Sequence, residues 1–162
     1  MSVSGVDPAQ FRQLLGRFAT GVSVVTARGA DGRPLGMTAS SVASVSLDPP
    51  LLLVSVDRAN EMHHALEAAP HFVVNILAAD QEALSRRFAA VDTNRFDGVG
   101  YRESRHGVPL LDGALAHVEC IRHASVPGGD HTVFLGLVTG GATADRRPLL
   151  FDRGAYANLG GG

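Results

Sequence analysis

The spacing of apolar residues changes along the chain, and each change marks a predicted element. Asp7 and Pro8 are typical of a helix start, as N-cap and first helical residue. The apolar residues that follow recur at helical spacing: Phe11, Leu14, Leu15 and Phe18. We expect Gly21 to end this helix. The β-branched segment GVSVVTA at 21–27 then predicts a strand, followed by a hairpin connection at 29–36.

Strands dominate the rest of the prediction. They are expected near 36–46, 51–57, 71–77, 113–125, 131–142 and 148–152. The turn LDPP joins the first two, and VPGGD at 126–130 is the predicted hairpin turn between two later strands. Val42 and Val45 do not alternate cleanly, which predicts a bulge. Because hairpins connect most strands, antiparallel pairing is expected, and closure into a barrel would remove exposed edges.

Two short helices and one loop complete this pattern. Asn60 is a predicted cap for a helix at 61–68, and Asp80 for a second helix that carries Leu84 and Phe88 on one face. The segment 91–109 is rich in Asp, Gly and Arg, so we predict a long loop with one helical turn.

Composition limits the function classes. A chain of 162 residues suits one domain, and a net charge of −2 without a basic cluster argues against nucleic-acid binding. All 14 basic residues are Arg. The absence of Lys excludes a lysine Schiff base, a Walker-type lysine and the usual attachment of pyridoxal phosphate.

Cysteine usage and hydropathy bear on location. Cys120 is the only cysteine, so no intrachain disulfide can form, which fits a reducing compartment. The start MSVSGVDPAQ does not resemble a signal peptide, and no apolar run approaches the length of a membrane span. We therefore expect a cytoplasmic protein that does not bind membranes.

Histidine clusters offer a metal-binding hypothesis. His117, Glu119 and His123 share one face of a regular strand, but the spacing matches no specific zinc motif. A partly exposed strand face is the simpler explanation of these three residues. The adjacent pair His63 and His64 is typical of a solvated helix surface. Cys120 faces away from His117 and is expected to pack as a small apolar side chain.

The segment GMTASSVASVSLDPPLLLVSV at 36–56 places hydroxyl and small residues before a double proline and an apolar run. A phosphorylated planar cofactor needs hydroxyl and N–H donors and small side chains beside its ring, and Thr38, Ala39, Ser40 and Ser41 supply both. Arg86 or Arg87 could add positive charge for a phosphate. A Ser/Thr-rich edge strand would give the same pattern, so both interpretations stay open on the residues alone.

Several motifs in order make the sequence resemble a known family. They are GMTASS with the following SLDPPL, FATGVSVVT at 18–26, FVVNIL at 72–77, SRRFA at 85–89, GGDHTVFLGLV at 128–138 and PLLFDRGAY at 148–156. Together they resemble the short-chain flavin reductases, the reductase components of two-component flavin-dependent monooxygenases. The resemblance implies a mainly β fold with short helices, an antiparallel Greek-key split barrel of the FMN-binding type. It also implies one domain over 1–162, with a core at about 8–159.

The resemblance implies roles for particular residues. The flavin ring edge and ribityl chain would be lined by Met37, Thr38, Ala39, Ser40 and Ser41. The other side of the flavin would be reached by Ser55, Val56, Asp57 and Asn60. The residues near the flavin phosphate, or in the adjoining wall of the site, would be Asn75, Ser85, Arg87 and Phe88. The nicotinamide site would contain His131, with Asp130 shaping the turn before it. Tyr156 would close over the nicotinamide nucleotide.

The implied reaction is reduction of FMN or FAD by NADH or NADPH, with reduced flavin passed to a separate oxygenase. The expected assembly is a homodimer with Leu51–Leu53 near the contact. A flavin carrier or sensor of the same barrel is the alternative, although the Gly-Asp-His triplet at 129–131 favours a nicotinamide site. A metal-dependent enzyme using His117 and Glu119 is a third class. The sequence does not distinguish FMN from FAD.

Overall fold

A computed structural model describes residues 2–160. In this range three helices accompany twelve strands. The helices are α1 (Pro8–Leu15), α2 (Glu61–Ala68) and α3 (Glu82–Ala89). The strands are β1 (Thr20–Gly21), β2 (Ser23–Arg28), β3 (Pro34–Ala39), β4 (Val42–Leu47), β5 (Pro50–Asp57), β6 (His71–Ile76), β7 (Tyr101–Glu103), β8 (Pro109–Leu111), β9 (Ala116–Gly128), β10 (His131–Thr143), β11 (Leu149–Asp152) and β12 (Ala155–Asn158).

Seven strands form one antiparallel sheet in the order β3-β2-β6-β9-β10-β5-β4. Its two edge strands, β3 and β4, are consecutive in the chain and are joined only by Ser40 and Ser41. Because three Cα steps span at most about 11 Å, the two edges must meet there. The sheet therefore curls into a barrel, and the expectation of a mainly antiparallel β fold with short helices is confirmed.

The barrel interior holds the larger apolar core. Along β5, Leu52, Val54 and Val56 are buried, while the residues between them are partly exposed, as strand alternation requires. Phe72 and Phe134 add aromatic volume from β6 and β10. Helix α2 contributes Met62, Ala65 and Leu66 to the same core. Each large side chain buried here contributes about 1.5–3 kcal/mol.

A second core fixes α3 against the barrel. It combines Val22, Val24, Leu77, Phe88, Leu111 and Leu149. The Phe88 ring lies over Gly36 so closely that a Cβ at Gly36 would stand 2.7 Å from Phe88 Cε1. The absence of a side chain at Gly36 therefore lets α3 approach β3.

Several local predictions are confirmed. Asp7 caps α1 by accepting from the Gln10 backbone N–H at 2.8 Å, and Asn60 caps α2 by accepting from Met62 N–H at 2.9 Å. The predicted bulge lies between Ser44 and Ser46. The turn between β4 and β5 contains a cis Asp48-Pro49 peptide bond.

Helix ends differ from the prediction in two places. Helix α1 ends at Leu15 with Gly16 as its C-cap, and the next residues form tighter turns, so Phe18 lies beyond the helix. Asp80 does not cap α3. Gln81 holds that position, and the Asp80 carboxylate instead accepts from Arg146 at 2.5 Å.

The strand predicted near 36–46 is two strands, β3 and β4, separated by Ser40 and Ser41. Three further strands or turns were missed or misplaced. The segment 91–109 is not one loop, because its end forms β7 and the start of β8, which pair with each other. Strand β12 follows a turn in which Arg153 and Gly154 both have positive φ. The β9–β10 hairpin turn is only Gly129-Asp130, with Gly129 at φ 67°, so β9 continues to Gly128, beyond its predicted end at 125, while β10 begins at His131 as predicted.

Candidate functional site at the corner of the barrel

The corner between β3 and β4 is tied to its neighbours by hydroxyl groups. Thr38 Oγ1 donates to the Ser85 carbonyl of α3 at 2.6 Å. On the other side, Ser41 Oγ donates to the Ser55 carbonyl of β5 at 2.8 Å, and Ser55 N–H donates back to the Ser41 carbonyl. Ser40 stands exposed between them. The hydroxyl-rich segment is therefore a braced corner whose outer surface is open to a ligand.

The outer face of β5 and β10 continues from this corner. Ser55 and Asp57 lie two residues apart on β5 and share a face. Asp57 is the register partner of His131, and paired residues project to the same side of a sheet. The opposite side carries the buried pair Val56 and Thr132. The structure thus brings the corner hydroxyls and His131 onto one outer face.

His131 is oriented by its neighbour in the turn. Its Nδ1–H donates to Asp130 Oδ1 at 2.7 Å, and its side chain is 40% exposed. This hydrogen bond, together with the charge of His131, holds the pKa of the Asp130 carboxyl below its usual value. Arg58 N–H donates to the Asp130 carbonyl and connects the turn to the end of β5. Nε2 of His131 is therefore the ring nitrogen left to contact a ligand.

A second polar group joins Thr38 to the C-terminal hairpin. Ser85 Oγ and Tyr156 Oη lie 2.8 Å apart, and the Arg86 guanidinium stands 4.7 Å over the Tyr156 ring. Tyr156 therefore lies against α3. Closure of this ring over a nucleotide, as the resemblance implies, would have to break its hydrogen bond to Ser85.

Three of the four predicted phosphate-side residues, Asn75, Ser85 and Phe88, lie inside the protein. Asn75 is completely buried, and its amide donates to the Val24 carbonyl and to Thr26 Oγ1 and accepts from Leu111 N–H. Phe88 is buried beneath α3. Their positions do not support direct contact with a cofactor, because no exposed atom remains to make it. They hold together the elements that carry the site.

Several other residues predicted to contact the flavin also have structural roles. Val56 is completely buried, and Met37 and Ala39 are largely so, because these residues face the barrel interior. Arg87 donates to the backbone carbonyls of Asn94, Arg95 and Asp97. Its guanidinium therefore holds the 94–97 loop in place. Asn60 caps α2 and stays partly exposed beside Asp57, whose carboxylate accepts from Ala59 N–H.

Arg95 is a candidate that sequence reasoning missed. Its Nη1 donates to the Gly36 carbonyl at 2.9 Å and lies 3.6 Å from a Glu61 carboxylate oxygen. Its buried Nε has no hydrogen-bond partner. Arg95 lines two adjoining cavities of about 180 and 290 Å³, one of which also contacts Asn60. A guanidinium that lines a cavity suits a phosphate oxygen because it is always charged and can donate several hydrogen bonds.

A larger cleft of about 520 Å³ opens beside the corner. Its lining includes Ser40, Ser41 and Ser55 on one side and the α1 residues Phe11 and Leu15 on another. This volume is in the range of ligand pockets, and apolar walls with a few hydroxyls are their usual composition. The residues present therefore fit a planar cofactor with polar edges.

His117, the histidine of the metal hypothesis on β9, has a structural hydrogen bond. His117 Nε2 donates to the Leu111 carbonyl at 2.7 Å, which links β9 to β8. The prediction of a solvated His63-His64 pair is wrong for His63, which is buried against Phe134, while His64 is exposed. Cys120 packs in the core as expected, and burial raises the pKa of its thiol to about 12.

Within residues 2–160, each helix is too short and too polar to cross a membrane.

Comparison with known proteins gives one consistent result. Residues 15–160 match the model of the flavin reductase like domain. The chain is 45% identical over 155 residues to FMN reductase (NADH) SmoA of Agrobacterium fabrum, covering 96% of this chain and 88% of that protein. It is 38% identical over 160 residues to the reductase subunit HsaB of a flavin-dependent monooxygenase from Rhodococcus jostii, covering 98% and 82%.

A solved structure supports the same likeness. The NADH:FAD oxidoreductase SgcE6 of Streptomyces globisporus, in complex with NAD and FAD fragments, superimposes with a TM-score of 0.90. It is 42% identical, with 98% of each chain covered. The split-barrel prediction is confirmed by this agreement.

Proposed function

This chain belongs to the flavin reductase like family, and from that premise we propose that it reduces FMN or FAD with NADH or NADPH. The reduced flavin would be released to a separate monooxygenase, as the name of the Rhodococcus jostii relative suggests. The observation that carries the proposal is the shared outer face, on which the hydroxyl corner and His131 lie together.

The corner would hold the flavin. Ser40, Ser41 and Ser55 offer hydroxyl groups at the cleft, and Thr38 keeps acceptor capacity on its oxygen while it donates to Ser85. Arg95 would hold a phosphate through the guanidinium group that lines both adjoining cavities. These groups bind and orient, and small residues such as Ala43 in the lining leave space for a ring.

The hairpin turn would hold the nicotinamide nucleotide. Asp130 fixes the His131 ring by accepting its Nδ1–H, so Nε2 can accept a hydrogen bond from a carboxamide. When protonated, the same nitrogen donates to a phosphate. The bound cofactors supply the chemistry, which is hydride transfer from nicotinamide C4 to flavin N5. The protein contributes proximity and orientation, which require no acid–base pair.

We also propose that two copies of the chain build the site as a homodimer and that the chain acts as one domain. The apolar residues Phe11, Leu14, Leu15 and Phe18 are each at least half exposed, and all of them except Leu14 border the cleft. An apolar surface of this kind is typical of an interaction site. Location in the cytoplasm stays a prediction from cysteine usage.

The deciding experiment is steady-state oxidation of NADH and of NADPH by purified protein with added FMN or FAD. We expect oxidation that depends on both protein and flavin. Flavin binding without oxidation of either nucleotide would contradict the reductase function and favour the carrier or sensor. The four substrate combinations also identify the preferred pair.

A further inference from the structure

Helix α2 carries a second cluster of ligating side chains, separate from the corner. His63, His64 and Glu67 each offer one nitrogen or oxygen, and these atoms all lie within 4.8 Å of one another. His63 and Glu67 are one helical turn apart, so they project from the same side of α2. Two imidazoles and a carboxylate are a donor set that suits zinc and related divalent ions.

The His63 ring is fixed in place. It is 6% exposed, packs edge-on against Phe134 at a centroid distance of 5.5 Å, and pairs through Nε2 with Thr132 Oγ1 at 2.8 Å. Histidines that ligate metals typically make such a bond with their other ring nitrogen, because it sets the tautomer and the ring orientation.

The other nitrogen of His63 lacks a partner. Nδ1 is buried and makes no hydrogen bond, and the nearest carboxylate oxygen, Glu67 Oε2, is 3.7 Å away. That distance is too long for a hydrogen bond in either tautomer. When Nε2–H donates to Thr132, the Nδ1 lone pair faces the Glu67 carboxylate, and a cation between them would stabilise this arrangement.

A zinc ion fits that separation. Zn–N and Zn–O bonds are about 2.0–2.2 Å long, so one ion can contact both Nδ1 and Oε2 across 3.7 Å, at an angle somewhat wider than tetrahedral. His64 supplies a third donor from the exposed side, which leaves the fourth position open to water.

From these observations we propose that His63, His64 and Glu67 form a site for a divalent transition-metal ion of the zinc class. The ion would fasten α2 to β10 through His63 and Thr132. Thr132 directly follows His131 but faces the opposite side of the strand, so the metal site is separate from the outer face of the active site. The proposal does not depend on the flavin reductase activity.

The test is calorimetric titration of untagged, chelator-treated protein with Zn²⁺, together with thermal unfolding. We expect one ion per chain and a higher Tm with the ion. His64→Ala and Glu67→Gln alter exposed side chains, so both variants should fold, and each should weaken Zn²⁺ binding about tenfold or more, roughly 1.4 kcal/mol. His123→Ala, which removes an exposed histidine elsewhere, is the matched control and should bind as the natural chain does.

A nitrogen-15 spectrum of the histidine side chains adds a direct readout. Zn²⁺ should shift Nδ1 of His63 and leave its Nε2 protonated. The proposal would be overturned if the natural chain binds Zn²⁺ without one-to-one stoichiometry, or if His64→Ala and Glu67→Gln bind Zn²⁺ as tightly as the natural chain. A His63 signal that responds to pH and not to Zn²⁺ would also overturn it.

Discussion

The corner at residues 38–41 and the hairpin turn at 129–131 supply the two halves of the proposed site, and they are built differently. At the corner, the hydroxyls of Thr38 and Ser41 already donate to α3 and β5, and Phe88 presses α3 onto Gly36. At the turn, the side chains of Asp130 and His131 contact each other and are otherwise open. The corner is therefore part of the packed structure, whereas the side chains of the hairpin turn project from its surface.

This difference separates stability from binding. A change at the corner should alter both the free energy of unfolding and the affinity for flavin, because the same contacts serve both. A change at the turn should alter nicotinamide binding alone. The following substitutions are chosen to break this separation if it is false.

The largest effect is expected from Gly36→Ala, with Gly128→Ala as its matched control. Gly36→Ala places a Cβ 2.7–2.8 Å from the buried Phe88 ring, so α3 must shift, and the free energy of unfolding should fall by about 1–3 kcal/mol with a loss of flavin affinity. Gly128→Ala beside the turn meets Val133 Cγ2 at 3.6 Å and the His131 carbonyl at 3.9 Å, both ordinary contact distances, and should be nearly neutral. Urea unfolding and flavin titration measure both. Equal destabilisation by the two variants would contradict the comparison.

The next effect is at the turn. His131→Ala removes the group proposed to contact the nicotinamide nucleotide and should raise the KM for NADH about tenfold, which is roughly 1.4 kcal/mol. Flavin affinity should be unchanged, and stability should change by less than about 0.5 kcal/mol, because the side chain is 40% exposed and its hydrogen bond is to the exposed Asp130 carboxylate. His106→Ala, at an exposed histidine on another loop, is the control. Unchanged kinetics for both substrates would refute the role of His131.

A smaller effect is expected at Thr38. Thr38→Val removes the hydrogen bond to the Ser85 carbonyl and should lower stability by about 1 kcal/mol, with weaker flavin binding. Thr38→Ser keeps the hydroxyl and should retain most of both properties. The separation fails if Thr38→Val instead changes the KM for NADH at saturating flavin.

The smallest effect is a pKa. The Asp130 pKa is lowered in the folded chain, so this pair stabilises the fold above the ordinary carboxyl pKa near 3.8, and the contribution is lost as pH falls through the lower folded value. His131→Ala should raise the Asp130 pKa toward its usual value. Carboxyl NMR titration measures it, with Asp31, whose pKa Arg33 lowers independently, as an unchanged reference. No change at Asp130 would show that the two side chains do not interact in solution.

Sequence reasoning identified the hydroxyl-rich residues 38–41 and the hairpin turn because each carries local signals, but it placed residues 38–41 within a strand and not at a corner. Gly129 supplies the positive φ of a tight turn, and the run from Thr38 to Ser41 is unusually rich in hydroxyls. Helix α2 was predicted with its observed bounds because Asn60 is a strong cap.

The remaining features depend on tertiary contacts. Asn75 was assigned to the cofactor, but β6 is buried on both faces, so alternation could not show which side its amide meets. Arg95 lies in a segment without periodicity, and its unpaired Nε is visible only in three dimensions. His63 and His64 are adjacent residues of the same type, so the sequence does not distinguish them. In the fold, β10 buries His63 and leaves His64 exposed.

The central claim is that flavin binds at the corner, that nicotinamide binds at the turn, and that hydride passes between them. Anaerobic single-turnover reduction of flavin by NADH tests it most directly, with bleaching of the flavin as the signal. We predict reduction that saturates with NADH, with the flavin dependence shifted only in Thr38→Val and the NADH dependence shifted only in His131→Ala. Reduction no faster than without protein, or both dependences shifted in both variants, would contradict the account.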